Sequence, residues 1–575
     1  MNGMISIWKP KLTLRKNNFL IKRHYAYITL NTMKKTLTSL FWILIVGLLQ
    51  AQYRPILVKD INQGSADGLP IYGLSNKSVE APAALGNFVI FPASDGSNGI
   101  ELWISDGSSE GTFMLKDINP DGDSSPKGLY TWNGKTYFSA QNTEFGSELW
   151  VTDGTPEGTQ ILKDIDEGQG GSEPFDFTEW EGKLLFSAKT QATGWEIWIT
   201  DGTADGTKLF KDVVPGSGDS GARFFKPTES GGFFFLSGQF ADKDLWYCKG
   251  HQDSIQLLAS EIIMLFGNEP EAMVFKDQLI FAGKRNGSFN YEPWISDGTI
   301  SGTKILKEIV AGSSGSYPQF FTPFGDKVFF GADNGTWLSD GTSQGTEKIA
   351  SVNLVPYQQI KNWITEINGK LIFPGSIRGF FGGNEVELYI SDGTAQGTRL
   401  LKDINPGGGH SDPNNLIKVR DKIFFVATAS SFINNELYVT DGTPQGTFAL
   451  PEINQAGSAN PSGFVAVNDL LFFSATNGSL GNELYMISLI NGIKNLNLVN
   501  NLIQVFPNPV SILSEFQIQI KLPIDQLVIT NLIGQTIQII EAGDIGLLRK
   551  NLPRGTYYIK AVKDTDVQIV KVLVE

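Results

Sequence analysis

The sequence contains almost no cysteine and very little histidine. Its 575 residues include one cysteine, Cys248, and three histidines, His24, His251 and His410. A single cysteine excludes a disulfide framework and any zinc ribbon built on cysteines, and three scattered histidines disfavour a histidine-rich metal site. We therefore expect neither a metal ion nor another cofactor.

Positive charge and long apolar runs are also scarce. The formal net charge is −14 at pH 7, which argues against a nucleic-acid partner. The apolar run from Leu40 to Leu49 is about half as long as a helix that crosses a bilayer. The sequence therefore predicts no stable membrane span.

An export signal surrounds that apolar run. From Met33 the chain reads MKKTLTSLFWILIVGLLQAQ, with two lysines before the run and the small residue Ala51 at the expected cleavage point. This pattern is typical of a secretory signal peptide, which we place at residues 33–51. We interpret residues 1–32, which hold six basic and no acidic residues, as the product of a start codon assigned too far upstream. Removing residues 1–51 takes away eight positive charges and leaves a mature chain of net charge −22.

Helical periodicity is missing as well, because no segment keeps a 3.6-residue apolar spacing over three turns. The chain has instead 63 glycines, 26 prolines and 11% aromatic residues. Such a composition combines many tight turns with enough bulk for a core. We predict an all-β protein.

One motif recurs along most of the chain. A full copy reads ELWVTDGTPEGTQILKDI from Glu148, a shortened copy begins at Thr336, and a decayed copy begins at Asp244. The first glutamate of the motif stands at Glu101, Glu148, Glu196, Glu292, Glu387, Glu436 and Glu483. The DGT aspartates stand at Asp106, Asp153, Asp201, Asp297, Asp340, Asp392 and Asp441. The period is about 48 residues, and each period also holds an upstream aromatic run such as GKLLFSA.

Four short β runs in each period predict one four-stranded propeller blade. The DGT motif predicts a hairpin whose glycines supply positive φ angles. The strand Leu57–Ile61 has no hairpin before it, whereas the last unit lacks a fourth strand after Tyr485. We expect the first fragment to complete the last blade, since this closes the ring and leaves no open sheet edge. The prediction is a propeller of nine blades within residues 52–490, with eight as the alternative if a degenerate copy is an insertion.

The repeated segments ELWxSDGTxxGTxxLKDI resemble the ELWxxDGT repeat proteins of bacterial surfaces, which are also called hyalin-like. The resemblance covers roughly residues 57–487. It implies a repeat architecture and an extracellular setting, and it implies no catalytic activity.

A different pattern follows the repeats. Residues 491–502 form a polar linker, and residues 503–575 contain alternating strands such as LVITNLIGQTIQII from Leu527. They predict a small C-terminal β-sandwich. This segment resembles the type A sorting domain of the type IX secretion system of Bacteroidetes. The residues that carry the resemblance are Pro507, Asn508, Pro509, Gly534, Gln535, Gly555, Tyr557 and Lys571. The resemblance implies a delivery tag that the export machinery recognises, and a protein that reaches the outside of the cell or its outer surface after Sec and type IX export.

Three groups of residues are candidates for chemistry, and each has a structural interpretation. The DGT aspartates are potential calcium ligands, but each turn offers one certain carboxylate, whereas calcium takes six to eight oxygens. The glutamate of ELW recurs in nearly every repeat, which favours a pairing role over catalysis. The run Gly218-Asp219-Ser220-Gly221 resembles a serine-protease nucleophile loop, but a triad is defined by partner geometry that four residues do not supply.

The loops before each ELW strand vary in length and carry aromatic side chains. Some of these aromatics are expected to pack between blades, and we predict that the others form a ligand-contact rim, because exposed aromatic clusters mark contact sites. The residues predicted for this rim are Trp195, Phe289, Tyr291, Phe380, Phe381 and Phe432.

The sequence therefore predicts a secreted or cell-surface binding or adhesion protein that is not an enzyme. Its expected partners are the type IX secretion machinery and an extracellular glycan or protein ligand. The alternative is a secreted hydrolase acting on glycans, which would need two carboxyl groups about 5 to 9.5 Å apart in one pocket.

Overall fold

The computed structural model describes eighteen stretches of the chain. They are residues 53–70, 82–238, 242–266, 269–284, 290–312, 314–355, 363–377, 385–407, 409–429, 435–489, 503–506, 516–520, 524–531, 536–543, 547–550, 553, 555–563 and 566–574. The predicted signal peptide, residues 1–32 and the linker 491–502 lie outside them.

Nearly all of the regular secondary structure in the described residues is β-strand. Up to residue 489 they form six four-stranded sheets, one five-stranded sheet and one nine-stranded sheet that contains two repeat units, all antiparallel. These make nine units, which we call blades 1 to 9 in chain order. This confirms the predicted propeller fold, with nine blades, and the copies at Asp244 and Thr336 belong to blades 4 and 6. In each blade the strands are called first to fourth from the centre of the ring outward.

Blades 1 to 3 are regular. Blade 1 consists of Ala83–Leu85, Phe88–Ser94, Ile100–Ser105 and Phe113–Lys116. Blade 2 consists of Lys127–Trp132, Lys135–Asn142, Gly146–Thr152 and Gln160–Lys163. Blade 3 consists of Phe175–Trp180, Lys183–Thr190, Gly194–Thr200 and Lys208–Lys211.

Blades 4 to 6 include the two degenerate copies. Blade 4 consists of Arg223–Pro227, Phe233–Ser237, Asp242–Cys248 and Ile255–Phe266, with a 3-10 turn at Gln252–Ser254. Blade 5 consists of Ala272–Phe275, Gln278–Lys284, Tyr291–Ser296 and Lys304–Ile305, and the short strand Glu269–Pro270 precedes it. Blade 6 consists of Gln319–Phe324, Lys327–Ala332, Gly335–Ser339 and Glu347–Ala350.

Blades 7 to 9 complete the ring. Blade 7 has its first strand in two pieces and consists of Asn353–Leu354, Thr365–Ile367, Lys370–Ser376, Glu387–Ser391 and Arg399–Lys402. Blade 8 consists of Asn414–Val419, Lys422–Thr428, Asn435–Thr440 and Phe448–Ala449. Blade 9 consists of Ser462–Val467, Leu470–Ala475, Glu483–Ser488 and the N-terminal strand Ile56–Lys59.

The ring closes between the two ends of the repeat region. Ile56 and Leu57 pair antiparallel with Met486 and Tyr485, and the first strands of blades 9 and 1 contact each other. The carboxylate of Glu483 accepts hydrogen bonds from the backbone N–H of Ile61 at 2.8 Å and of Asn62 at 3.3 Å. The expected complementarity of the two fragments is therefore present in the structure.

Aromatic side chains fill the spaces between blades. A phenylalanine on the second strand stacks on the aromatic residue of the ELW position on the third strand, because the two are register partners. The stacked pairs are Phe235–Trp246, Phe281–Trp294, Phe330–Trp337, Phe373–Tyr389, Phe425–Tyr438 and Phe473–Tyr485, with ring centroids 5.5 to 6.3 Å apart. The ELW aromatics therefore belong to the core.

Lysines of the LKDI strands connect successive blades. Lys116 of blade 1 donates to the carbonyl of Thr159 in blade 2 at 2.6 Å, and Lys307 of blade 5 donates to the carbonyl of Thr346 in blade 6 at 2.7 Å. Lys59 makes the same contact to Thr112 across the closure, at 2.6 Å. The closure between blades 9 and 1 therefore has the same lysine contact as blades that follow each other in the chain.

Alternation of strand direction gives the ring two different ends. We call one end the hairpin face, because it carries the DGT hairpins and the turns between first and second strands. The other end, the crossover face, carries the loops before each ELW strand and the connections from each blade to the next. The most regular loops therefore lie on the hairpin face, and the most variable loops lie on the crossover face.

The C-terminal region forms two sheets. One contains Ile503–Phe506, Phe516–Ile520 and Leu547–Lys550, and the other contains Thr536–Gly543, Ile524–Asn531, Gly555–Lys563 and Asp566–Val574. This arrangement agrees with the predicted β-sandwich. Tyr558 of the second sheet packs on Phe88 of blade 1, with ring centroids 5.0 Å apart.

Candidate functional site

Each DGT aspartate forms hydrogen bonds within its own turn. Asp153 Oδ1 accepts hydrogen bonds from the backbone N–H of Thr155 at 2.9 Å and from its hydroxyl at 2.7 Å, and that hydroxyl accepts the N–H of Gly158 at 2.9 Å. The same bonds recur at Asp106, Asp201, Asp297, Asp340, Asp392 and Asp441. Among the described residues, no group of three or more His, Cys, Asp or Glu side chains is placed to hold a metal ion. These aspartates therefore have a structural role, which is to hydrogen-bond the backbone and hydroxyl of their own turns.

The ELW glutamates occur in seven of the nine blades, where they connect the third strand to the segment that follows the fourth strand. Glu148 is fully buried and accepts hydrogen bonds from the N–H of Ile165 at 2.8 Å and from the N–H and hydroxyl of Ser172 at 2.7 and 2.5 Å. Burial is the largest effect on these carboxyl groups, and it raises the pKa of four of them to about 7. These four are Glu196, Glu387, Glu436 and Glu483. Their repetition in the ring assigns them to folding, as expected.

Ser220, in the protease-like run, occupies the same repeat position as Ser172. Its side chain is buried, and its hydroxyl donates to the carbonyl of Trp195 at 2.7 Å while its N–H reaches Glu196 at 3.2 Å. The serine is therefore part of the repeated framework.

Trp195 of the predicted rim lies on the crossover face of blade 3 and is half-buried. Its ring makes an edge-on contact with Phe175, with centroids 5.1 Å apart, and Lys189 Nζ lies 5.4 Å from the indole centre. Phe175 is 37% exposed, and Lys189 forms an ion pair with Glu173 at 2.6 Å. An aromatic pair and a cation thus share one accessible patch, which we call the blade 3 patch.

The backbone of Trp195 is fixed on both sides. Its N–H donates to Asp219 Oδ1 at 3.0 Å, and its carbonyl accepts from both the N–H and the hydroxyl of Ser220. A backbone segment held in this way loses little conformational entropy when a ligand binds, which favours affinity.

Tyr291 departs from the prediction, because its side chain is only 4% exposed. It packs against Tyr317, with ring centroids 5.8 Å apart, and under Lys284, whose Nζ lies 5.9 Å from its ring centre. Tyr317 is 46% exposed. The accessible aromatic surface of blade 5 therefore belongs to Tyr317, which precedes the first strand of blade 6 and not an ELW strand.

Several predicted residues lie outside the described part of the chain. These are the rim residues Phe289, Phe380, Phe381 and Phe432 and the sorting-motif residues Pro507, Asn508, Pro509, Gly534 and Gln535. Of the other sorting-motif residues, Gly555 begins a strand, Lys571 is the register partner of Tyr558, and the hydroxyl of Tyr557 donates to the carbonyl of Pro553 at 2.8 Å.

Phe175 and Lys189 belong to the patch but are not among the sequence-predicted residues. Phe175 follows a connection between blades, and Lys189 ends an aromatic run that repeats in every blade. The strand register would have identified Lys189, because this residue pairs directly with Trp195 in the hairpin. Aligning the repeats by strand position would have found this lysine.

The chain matches no family model and no curated protein. Solved structures match at low identity. A puromycin hydrolase mutant in complex with PGG is 14% identical over 72% of this chain and 61% of its own, with a TM-score of 0.34. A Mycobacterium tuberculosis puromycin-hydrolysing peptidase is 12% identical over 71% of this chain and 61% of its own, with a TM-score of 0.35. A eukaryotic initiation factor is 10% identical over 81% of this chain and 99% of its own, with a TM-score of 0.39.

These matches correct one prediction. The sequence predicts that the protein is not an enzyme, whereas hydrolases and peptidases are among the structures that it resembles, so that prediction is withdrawn. The chain spans only 61% of the length of the two hydrolases. At this identity and these TM-scores, the likeness assigns no activity to the chain.

In the part of the chain that the structure describes, no helix combines the length and apolar character needed to cross a bilayer.

Proposed function

We propose that this protein is an exported binding protein of the cell exterior, and that its propeller contacts an extracellular glycan or protein through the crossover face. The single observation that carries the proposal is the blade 3 patch, where Phe175 and Trp195 present apolar ring surface beside Lys189. Flat aromatic surfaces on a rigid scaffold suit sugar rings and peptide side chains. The hairpin face is constrained by the hydrogen bonds of its DGT turns, so sequence freedom lies on the crossover face.

The binding test compares two exposed apolar residues on opposite faces. Trp195→Ala removes the indole from the patch, whereas Ile300→Ala removes a side chain that is 65% exposed on a DGT hairpin of blade 5. We expect Trp195→Ala to weaken binding to a glycan array or to whole cells about fivefold or more, as truncation of an aromatic contact residue commonly does, while Ile300→Ala binds like the parent protein. Equal binding by both folded variants would remove the proposed contact site. The bound glycans should also be assayed for cleavage, since hydrolases share the propeller fold.

The export part of the proposal is supported by the two-sheet C-terminal region and by the resemblance of its motifs to a sorting domain. We propose Sec-dependent export followed by type IX secretion, directed by residues 503–575. Truncation after Leu502 should then retain the protein in the periplasm, as measured by fractionation and immunoblotting. A truncated protein that reaches the medium or outer surface in the normal amount would contradict the sorting role, and mass spectrometry of the exported parent would locate both trimmed ends.

A further inference from the structure

Blade 1 departs from the repeat at the first residue of its second strand. In five other blades the residue at this position, three before the phenylalanine that pairs with the ELW aromatic, is a lysine. These lysines are Lys135, Lys183, Lys327, Lys370 and Lys422. Four of the five are exposed, as expected for a charged side chain at a surface turn. In blade 1 the residue is Phe88, which is only 2% exposed, so another part of the chain covers this end of the strand.

The C-terminal region covers Phe88. The side chain of Tyr558 is 6% exposed, and its ring lies 5.0 Å from the ring of Phe88 between centroids. Tyr558 belongs to the same apolar cluster as Leu85 and Ile90 of blade 1. Burial raises the pKa of Tyr558, and the charge of Asp106, in the hairpin of the same blade, raises it further. The ring of Tyr558 is therefore inserted at the hairpin face of blade 1.

Tyr558 lies on the outer surface of its own sheet. Side chains alternate between two faces along its strand, and the fully buried Ile559 shares the inner face with its register partner Ile529. Tyr558 points to the opposite face, where Lys560 is exposed and Ile539 is 52% exposed. The two C-terminal sheets by themselves therefore leave Tyr558 uncovered, and the propeller buries it.

The second strand of blade 1, Phe88–Ser94, has its other face in the ring closure. Phe88 and Ile90 belong to the cluster that receives the C-terminal region. Val89 and Phe91, which alternate with them, belong to the core cluster between blades 9 and 1. That core cluster also contains Val58, from the N-terminal strand that completes blade 9. One strand thus has the closure on one side and the C-terminal region on the other.

Both turns of blade 1 that border Tyr558 also contact blade 9. In the turn before the second strand, Asn87 Oδ1 accepts a hydrogen bond from Asn468 Nδ2 at 2.9 Å. In the hairpin after the third strand, Gly107 lies so close to blade 9 that a Cβ atom there would be 2.8 Å from Met486 Sδ. The positions of both turns therefore depend on the contact between blades 9 and 1.

We propose that blade 1 carries a docking site for the chain's own C-terminal region, and that this site is complete only in the closed ring. Phe88 provides the apolar surface, the ring of Tyr558 packs on it, and the contacts with blade 9 hold the surrounding turns in place. A docked C-terminal region thereby reports that the ring has closed. The contact lies within one chain, so it goes beyond the proposed function and does not depend on it.

Hydroxyl-radical footprinting of residues 52–575, read by mass spectrometry, measures the exposure of individual side chains and tests the docking site. Phe88→Lys gives blade 1 the residue that five other blades carry, so it should release Tyr558 and raise its oxidation several-fold. Gln278→Lys changes the equivalent position of blade 5 and should leave the oxidation of Tyr558 at the parent level. Tyr557, on the inner face of the same strand, is the internal reference, since its unchanged oxidation shows that the C-terminal region stays folded.

A second arm opens the closure from the other side of the strand. Val58→Asp places a charge in the core between blades 9 and 1, and it should also raise the oxidation of Tyr558. Phe281 of blade 5, which is fully buried, should stay protected and so show that the rest of the ring is folded. If Val58→Asp exposes Phe281 as well, Ile61→Ala supplies a milder loss of packing in the same core.

Each other outcome contradicts a defined part of the proposal. Oxidation of Tyr558 that is equal in the parent and in Phe88→Lys would overturn the docking site. Release of Tyr558 by Phe88→Lys, with full protection in both closure variants, would overturn the dependence on the closed ring. These measurements involve neither glycan binding nor export, so the assays described above decide the proposed function separately.

Discussion

Two glycines in each DGT hairpin are required for two different physical reasons. Gly154, the first, has a φ of +88°, which L side chains rarely adopt. Gly158, the second, has no positive φ, but a Cβ atom there would lie 2.0 Å from Asp153 Oδ1. The sequence prediction that both glycines supply positive φ angles is therefore wrong for the second one, whose absent side chain makes room for the aspartate.

This difference leads to a test on the second glycine. Gly158→Ala should destabilise the protein by about 1 to 3 kcal/mol, because the new methyl group displaces the aspartate that organises the turn. Gly122→Ala is the control, since a Cβ there meets nothing closer than 3.8 Å and φ is not positive. Chemical unfolding followed by fluorescence compares the two, and equal midpoints would contradict the steric explanation.

The buried glutamates make stability depend on pH. Glu196, Glu387, Glu436 and Glu483 have a pKa of about 7 in the folded protein, raised by burial from 4.5. The folded state then binds these protons more tightly than the unfolded state, so their stabilising contribution is complete below pH 4.5 and is lost as pH rises through 7. Thermal unfolding should therefore occur at a higher temperature at pH 5 than at pH 8.

A single variant checks the source of this pH dependence. Glu483→Gln removes one of the four titrating groups, so the difference between the unfolding temperatures at pH 5 and pH 8 should become smaller. Glu157→Gln, at an exposed position in a DGT hairpin, should leave that difference unchanged. A parent protein that is more stable at pH 8 than at pH 5 would contradict the assignment.

At the scale of the strand, the segment of residues 56–61 is a structural part of the last blade. Val58 and Ile61 are both 5% exposed and belong to the core cluster between blades 9 and 1. The segment also supplies the N–H groups that Glu483 accepts. Its removal opens a sheet edge and exposes that core.

Deletion of residues 52–64 should consequently destabilise the whole ring. Loss of Val58 and Ile61 alone removes about 3 to 6 kcal/mol of burial, at about 1.5 to 3 kcal/mol for each aliphatic side chain. Because the joint is non-covalent, a peptide of residues 52–64 added to the truncated protein should restore part of the unfolding temperature, and a peptide with Val58→Asp and Ile61→Asp should not. Unchanged unfolding of the truncated protein would contradict the closure.

The sequence predicts the elements of this fold well because its repeats are dense. Six DGT turns and one DGS turn at Asp106 predict the hairpins, and the missing fourth strand after Tyr485 points to Leu57 as its replacement. The site is predicted less well. Trp195 can be found from the sequence because it is an aromatic residue in a variable loop. The burial of Tyr291 and the position of Lys189 beside Trp195 depend on packing between neighbouring strands and blades. Loop composition contains no information about that packing.

At the scale of the whole molecule, the regular repeats build the ring. The loops that depart from the repeat give the crossover face its particular side chains. The chain carries a net charge of −14, and on the crossover face of blade 3 the rings of Phe175 and Trp195 lie beside the cation Lys189. A face that combines cations with exposed aromatic rings contrasts with the opposite face, where the aspartates of the DGT turns recur. This asymmetry is the physical basis for assigning ligand contact to one side of the propeller.

Hydrogen exchange measured by mass spectrometry, with and without a glycan that the propeller binds on the array, tests this assignment most directly. Ligand should slow backbone exchange in residues 172–176, 189–195 and 220–226 on the crossover face. The DGT hairpins at residues 153–159 and 201–207 should exchange at the same rate in both samples. Protection confined to the hairpins, or no protection on the crossover face, would contradict the account.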